Sequence, residues 1–331
     1  MDKKKIRNIL LTLVGIAIFI AVYSYIGFAE VAYILQQNLT LSVIVLALAL
    51  TTINIMIRTY RWDIILKHLK PCKVPYASML SYTFAGSFLA NITPGKVGEL
   101  GKSYFLKKTH GVGLRYGLSS IAIDKVSDIL VTGCVAVFFF LYFVLKVKLI
   151  FTIMWMAAFI ALIVTVIIAA KIFSGRIMKM GLAKRFMKKK KLTPDEVNQI
   201  FKAMASPHFL AKVILISAVL WLVGAYRLMI IGNSIGIEMA YIYYVMVLSI
   251  SLLIGGLSFI PSGIGINDAV MIFLFNLMGG SLELYGAATL ANTILSVVFV
   301  NLVGGILLIT LLGKVRESRI KNRLRKDSKD L

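Results

Sequence analysis

Cysteine, histidine and acidic side chains are all scarce in this 331-residue chain. Its two cysteines, Cys72 and Cys134, are far apart and lack CxxC spacing, which argues against a disulfide framework or a zinc site. His68, His110 and His208 are scattered, so neither a metal cluster nor a cofactor is expected. Aspartate and glutamate number 14 against 37 lysines and arginines, a net charge of +23. Alternating ten-residue strands, the mark of an outer-membrane barrel, are missing. No stretch is suited to a soluble catalytic domain, and no DxD pair faces a recognisable nucleotide loop, so an enzyme is not expected.

What the chain has is apolar length. Hydrophobic residues make up 59% of it, and its mean hydropathy is +0.89. Several runs exceed the roughly 18 residues that mark a membrane-crossing helix. The expected fold is an all-α polytopic membrane protein with six spans, at about 6–27, 39–57, 118–145, 149–171, 209–233 and 285–313. The first span is too long for a signal h-region and has no small-residue cleavage site, so it reads as a retained helix. Two further stretches, 76–106 and 241–279, are interrupted or re-entrant pairs.

The cations sit at the ends of these runs, a pattern of membrane topology and anionic headgroups rather than of nucleic acid. Of the 37 Lys and Arg, 34 fall in the N-terminus, 58–75, 96–125, 171–212 and the tail from Lys314. The loops 28–38, 234–240 and 280–284 carry none. That asymmetry predicts a multi-pass protein of the cytoplasmic membrane with both termini cytoplasmic. The transmembrane domain would cover 1–313, with repeat halves at about 39–145 and 209–313, a basic cytoplasmic loop at 172–208 and a basic, frayed tail at 314–331. Within the loop, Thr193-Pro-Asp-Glu196 is a capping box, which predicts a short amphipathic helix beside Lys188–Lys191.

The halves share a pattern. Pro94 and Gly98 in the first break match Pro261 and Gly265 in the second, and each break follows a Tyr-Arg pair, Tyr60-Arg61 or Tyr226-Arg227. The charge bias gives the halves opposite orientation, so they read as inverted-topology repeats, whose broken segments flank a transporter's substrate site. Candidate substrate-binding residues are the few polar groups within or beside apolar spans, which usually face a cavity or a partner. Lys96, Glu99 and Lys102 belong to the first break. Asp124, Lys125 and Asp128 are either an internal salt-bridge set or part of the site. Arg61, with Trp62 and Asp63, is either an interfacial anchor or a ligand. Arg227 and Asp268 are deep and of opposite sign, which suggests a mutual pair. Helix N-termini after the breaks, together with these cations, suit an anion.

The stretch Pro94-Gly95-Lys96-Val97-Gly98-Glu99-Leu100-Gly101-Lys102-Ser103-Tyr104 resembles the Pro-Gly-Arg-x-Gly-Glu-x-x-Arg-x-Tyr motif of the flippase-like transmembrane region of lysylphosphatidylglycerol synthases and related uncharacterised proteins of bacteria and archaea. Asp124-Lys125-Val126-Ser127-Asp128 is similar to its acid-Arg-x-x-Asp motif. The run from Pro261 through Gly263 and Gly265 to Asp268 is similar to its Pro-x-Gly-x-Gly-x-x-Glu motif. Lys replaces both Arg of the first motif and Asp replaces the Glu of the last, which keeps charge but changes reach and bidentate geometry. The resemblance implies translocation of an anionic lipid or polyisoprenoid phosphate among membrane lipids, without the appended synthase domain. Two other functions stay open: a membrane-embedded lipid-phosphate transferase, and a non-catalytic partner of a separate lipid-modifying transferase.

Overall fold

A computed structural model describes residues 3–157 and 206–327. Every regular element among them is a helix. In chain order these are α1 (Lys3–Ile26), α2 (Phe28–Asn38), α3 (Leu41–Leu69), α4 (Tyr76–Asn91), a 3-10 segment Pro94–Leu100, α5 (Gly101–His110) and α6 (Leu114–Phe139). Then come α7 (Pro207–Ser234), α8 (Tyr241–Leu257), a 3-10 turn Pro261–Gly263, α9 (Ile266–Asn276), α10 (Leu282–Thr293) and α11 (Phe299–Asp327). Wide π turns at Phe140–Val144 and Ile294–Val298 extend α6 and join α10 to α11.

Local chemistry accounts for the boundaries. Pro207 opens α7, where a missing N–H costs nothing. Gly111, left-handed at φ 66°, closes α5. Gly27, at φ 102°, turns α2 by 78° from the preceding helix, so the segment expected to be a loop at 28–38 is helical. Helix α3 likewise continues well past 57, and α11 continues to Asp327 through the tail expected to be frayed.

Four described helical stretches are long and apolar enough to cross a bilayer: Leu41–Leu69, Leu114–Val144, Pro207–Ser234 and Leu282–Arg316. The bent pair Leu10–Ile26 and Phe28–Asn38 would make a fifth. The span expected at 149–171 is helical over 149–157, and its remainder lies outside the described residues, as does the capping box at Thr193. Large apolar side chains stay on the outside, such as Leu41, Leu215 and Ile309, each more than 60% exposed. That is the surface expected of a protein whose solvent is lipid.

Both interrupted stretches are broken helices. At 1.5 Å per residue α4 is about 24 Å long and α8 about 26 Å, short of a hydrocarbon core of about 30 Å. Helix α3 packs against α7, α4 along α11, and α8 along α6, so each broken helix lies on the last long helix of the other half. Gly304 permits the α4–α11 approach: a Cβ there would sit 2.9 Å from Phe88 Cβ. One apolar core surrounds Tyr23, Leu228, Tyr244 and Phe275; another surrounds Trp62, Leu66, Met79 and Phe105.

Candidate functional site

Each break follows its proline with two residues in left-handed conformation, Gly95 and Lys96 (φ 63° and 56°) and Ser262 and Gly263 (φ 57° and 69°). A non-glycine residue held there costs about 1–2 kcal/mol per position, so neighbouring structure must fix it. At the first break Thr93 does so, its carbonyl accepting from the Lys96 N–H at 3.1 Å and its hydroxyl accepting from the Gly98 N–H at 2.8 Å. A Cβ on Gly98 would collide with the Leu89 carbonyl, which explains the glycine. The two breaks meet, because Ser262 Oγ donates to the Asn91 carbonyl at 3.0 Å.

Around the first break the chain buries charge. Arg61 is fully buried, its Nε 2.7 Å from Asp124 Oδ1 and its Nη1 2.6 Å from Asp128 Oδ1. Lys102, also fully buried, places Nζ 2.6 Å from Glu99 Oε1 and 3.9 Å from Asp124 Oδ2. Its ammonium lies 4.7 Å from the centroid of the Trp62 ring, a cation–π contact. Lys125 closes the network on the second oxygen of Glu99. Gly86 leaves room for the Lys102 stem, since a Cβ there would lie 2.9 Å from Lys102 Cδ. Arg58 and Lys96 are within electrostatic reach of Glu99, Lys125 and Asp128.

The structure therefore brings together Arg61, Lys96, Glu99, Lys102, Asp124, Lys125 and Asp128 from α3, the first break, α5 and α6. Pro94, Gly95 and Gly98 shape the backbone beneath them. Arg61 and Trp62 do not anchor at an interface: both are fully buried, and Trp62 Nε1 donates to Ser120 Oγ at 2.9 Å. Tyr104 stands apart, 38% exposed and packed edge-on to Phe105.

Arg227 and Asp268 form no ion pair with each other. Arg227 Nε and Nη2 donate to Asn292 Oδ1 at 3.2 and 3.1 Å, and its Nη1 donates to Thr51 Oγ1 at 3.2 Å. Asp268 accepts from the Gly265 N–H at 3.0 Å, from Thr293 Oγ1 at 2.9 Å and from Tyr23 OH at 3.5 Å. Pro261 and Gly263 are buried at the turn before it. Asn292 and Thr293 are successive residues of one helix, so each charge is held by its own neutral partner.

The contacts of the halves correspond. Arg61 Nη1 donates to Ser217 Oγ on α7 at 2.5 Å, while Arg227 on α7 donates to Thr51 on α3; the two arginines, and likewise the two hydroxyl residues, are 166 positions apart in sequence. Tyr76 OH donates to the Met56 carbonyl at 2.6 Å, and Tyr241 OH to the Leu222 carbonyl at 2.7 Å. Thr51 and Arg61 are ten residues apart on α3, so the two arginine sites lie about 15 Å apart along the helix axis. Asn292 and Ser296 stand 168 residues after Asp124 and Asp128. The second arginine is thus held by neutral side chains where the first is held by carboxylates.

Thr51, Ser217 and Asn292 are not among the candidates that the sequence singles out. Carrying the Tyr-Arg offset ten residues back along the chain finds Thr51 and Ser217, but neither hydroxyl stands out among apolar neighbours.

Lipid-facing helices around buried, paired charge define an integral membrane protein. A profile of the lysylphosphatidylglycerol synthase TM region matches residues 9–304, and the chain belongs to that family. Its relatives include a UPF0104 membrane protein of Pyrococcus horikoshii, 24% identical over 326 residues, which cover 92% of this chain and 97% of that protein. A UPF0104 membrane protein of Methanocaldococcus jannaschii is 23% identical over 342 residues, covering 97% and 100%.

Proposed function

We propose that this protein moves an anionic lipid, or a lipid-linked phosphate, across the cytoplasmic membrane. The observation that carries the proposal is the reciprocal arginine contact, in which Arg61 and Arg227 each reach from one half to a hydroxyl of the other. It supports an inverted-topology repeat of six spans with two re-entrant pairs and cytoplasmic termini. The ion-paired site lies toward the basic, cytoplasmic end of α3, and the Arg227 site about 15 Å further along. A headgroup enters at the break carrying Lys96, Glu99 and Lys102, while its chains stay in the bilayer. Rocking of the halves about the α3–α7 contact then exposes it to the other face.

The bonding of the carboxylates favours transport over a metal-dependent transferase. Glu99, Asp124 and Asp128 are each engaged by Arg or Lys rather than converging on a common point. Reconstitution into vesicles with headgroup-labelled phospholipids tests the proposal. Wild-type protein should move anionic lipid between leaflets, and Glu99→Gln or Lys102→Ala should abolish the movement. Folded wild-type protein that moves none of the anionic lipids offered would sink it.

A further inference from the structure

The charges of the first site do not balance. Five cations (Arg58, Arg61, Lys96, Lys102 and Lys125) face three carboxylates (Glu99, Asp124 and Asp128), leaving two formal positive charges. Each carboxylate already has a cation at bonding distance, whereas Arg58 and Lys96 form no ion pair among the described residues. Arg58 Nε and Arg61 Nη2 are buried without a hydrogen-bond partner. Lys96 is exposed at the break, on strained backbone. Unlike Arg227, whose guanidinium is bonded by Asn292 and Thr51, Arg58 and Arg61 keep donors with no acceptor, which an anion would fill.

We infer that Arg58, Lys96 and Lys125, backed by Arg61 Nη2, form a binding site for a phosphomonoester dianion. This rests on the transport reading above and narrows it to one headgroup chemistry. A phosphomonoester carries about −1.5 to −2 at neutral pH and offers three acceptor oxygens. It matches both the surplus of two charges and the free donors. A phosphodiester, with one negative charge, leaves one cation uncompensated. The fork of Arg58 grips two phosphate oxygens, and Lys96 and Lys125 approach as point charges. The same chemistry is offered by a lipid such as phosphatidic acid or a prenyl phosphate, and by free inorganic phosphate.

The test uses the full chain in detergent micelles at pH 7, with binding measured by native mass spectrometry. Phosphatidic acid and phosphatidylmethanol of identical acyl chains differ only in being monoester and diester. The monoester should bind at least about tenfold more tightly, a difference of about 1.4 kcal/mol. Arg58→Met and Lys96→Met should each bring the two lipids to similar affinity. Lys96→Met is the safer variant, because its side chain is exposed. Farnesyl phosphate should compete with phosphatidic acid. Inorganic phosphate competing only at far higher concentration assigns the site to a lipid, and equal potency assigns the same dianion chemistry to free phosphate. Equal binding of monoester and diester, or unchanged monoester affinity in both folded variants, overturns the inference. A clear monoester preference in a protein that moves no lipid would refute transport and leave the site standing.

Discussion

Asp124 offers the sharpest test of how the buried network is held together. Its Oδ1 accepts from Arg61 Nε at 2.7 Å, and neither side chain is exposed by more than 1%. At that separation, with an effective dielectric of about 20, the gross attraction is about 6 kcal/mol. Desolvation of both groups offsets most of it, so the measurable quantity is the cost of removing one partner. Asp124→Leu strands the guanidinium beside Asp128 alone and should cost about 3–5 kcal/mol. Asp124→Asn keeps an oxygen for Arg61 Nε and should cost about 1.5–3 kcal/mol. The chain itself shows that the neutral arrangement folds, because Arg227 is held by Asn292 at 3.1–3.2 Å. In an Arg61→Met background Asp124→Leu should become milder by about 2–3 kcal/mol, as groups in one network couple. SDS titration of the purified proteins, followed by tryptophan fluorescence, reads the stability of the wild type and of all four variants. Additivity within about 0.5 kcal/mol would mean that the pair is not coupled, and the reasoning would fail.

Two further expectations concern topology and backbone. With Cys72 and Cys134 replaced by Ser, Lys73→Cys should react with an impermeant maleimide only from the cytoplasm and Glu238→Cys only from outside; both residues are exposed. Labelling of both from one side would refute the proposed orientation. Gly98→Ala forces a Cβ onto the Leu89 carbonyl and should lower stability by about 1–3 kcal/mol. Gly133→Ala on α6 has nothing within 4 Å of the new atom and should be neutral or stabilising by up to about 1 kcal/mol. Equal melting temperatures for the two variants would count against the close packing of the first break.

Much of the site was legible because charge in an apolar run is conspicuous. Lys96, Glu99, Lys102, Asp124, Lys125 and Asp128 stand out in one dimension, and they meet in three. Arg61 was ambiguous, since an arginine just past an apolar run fits both a span end and a buried partner. Helix α3 continuing to Leu69 settles that by carrying it inward. Arg227 and Asp268 misled for the opposite reason. Opposite signs at similar depth suggest a pair, yet both groups meet neutral polar side chains of α10 that periodicity cannot single out.

The sequence by itself determined the class of molecule and the places where its helices break. Apolar length, cation asymmetry and Pro-Gly spacing are local properties, and hydrophobic transfer and backbone sterics act on them directly. Only the tertiary structure decided which charges neutralise one another and which are left over. Arg61 reaches Ser217 across 156 residues of chain, and Arg227 reaches Thr51 across 176. Helix packing sets those distances: at bonding range in a low-dielectric interior, an ångström determines whether a cation is already paired or free to hold a ligand.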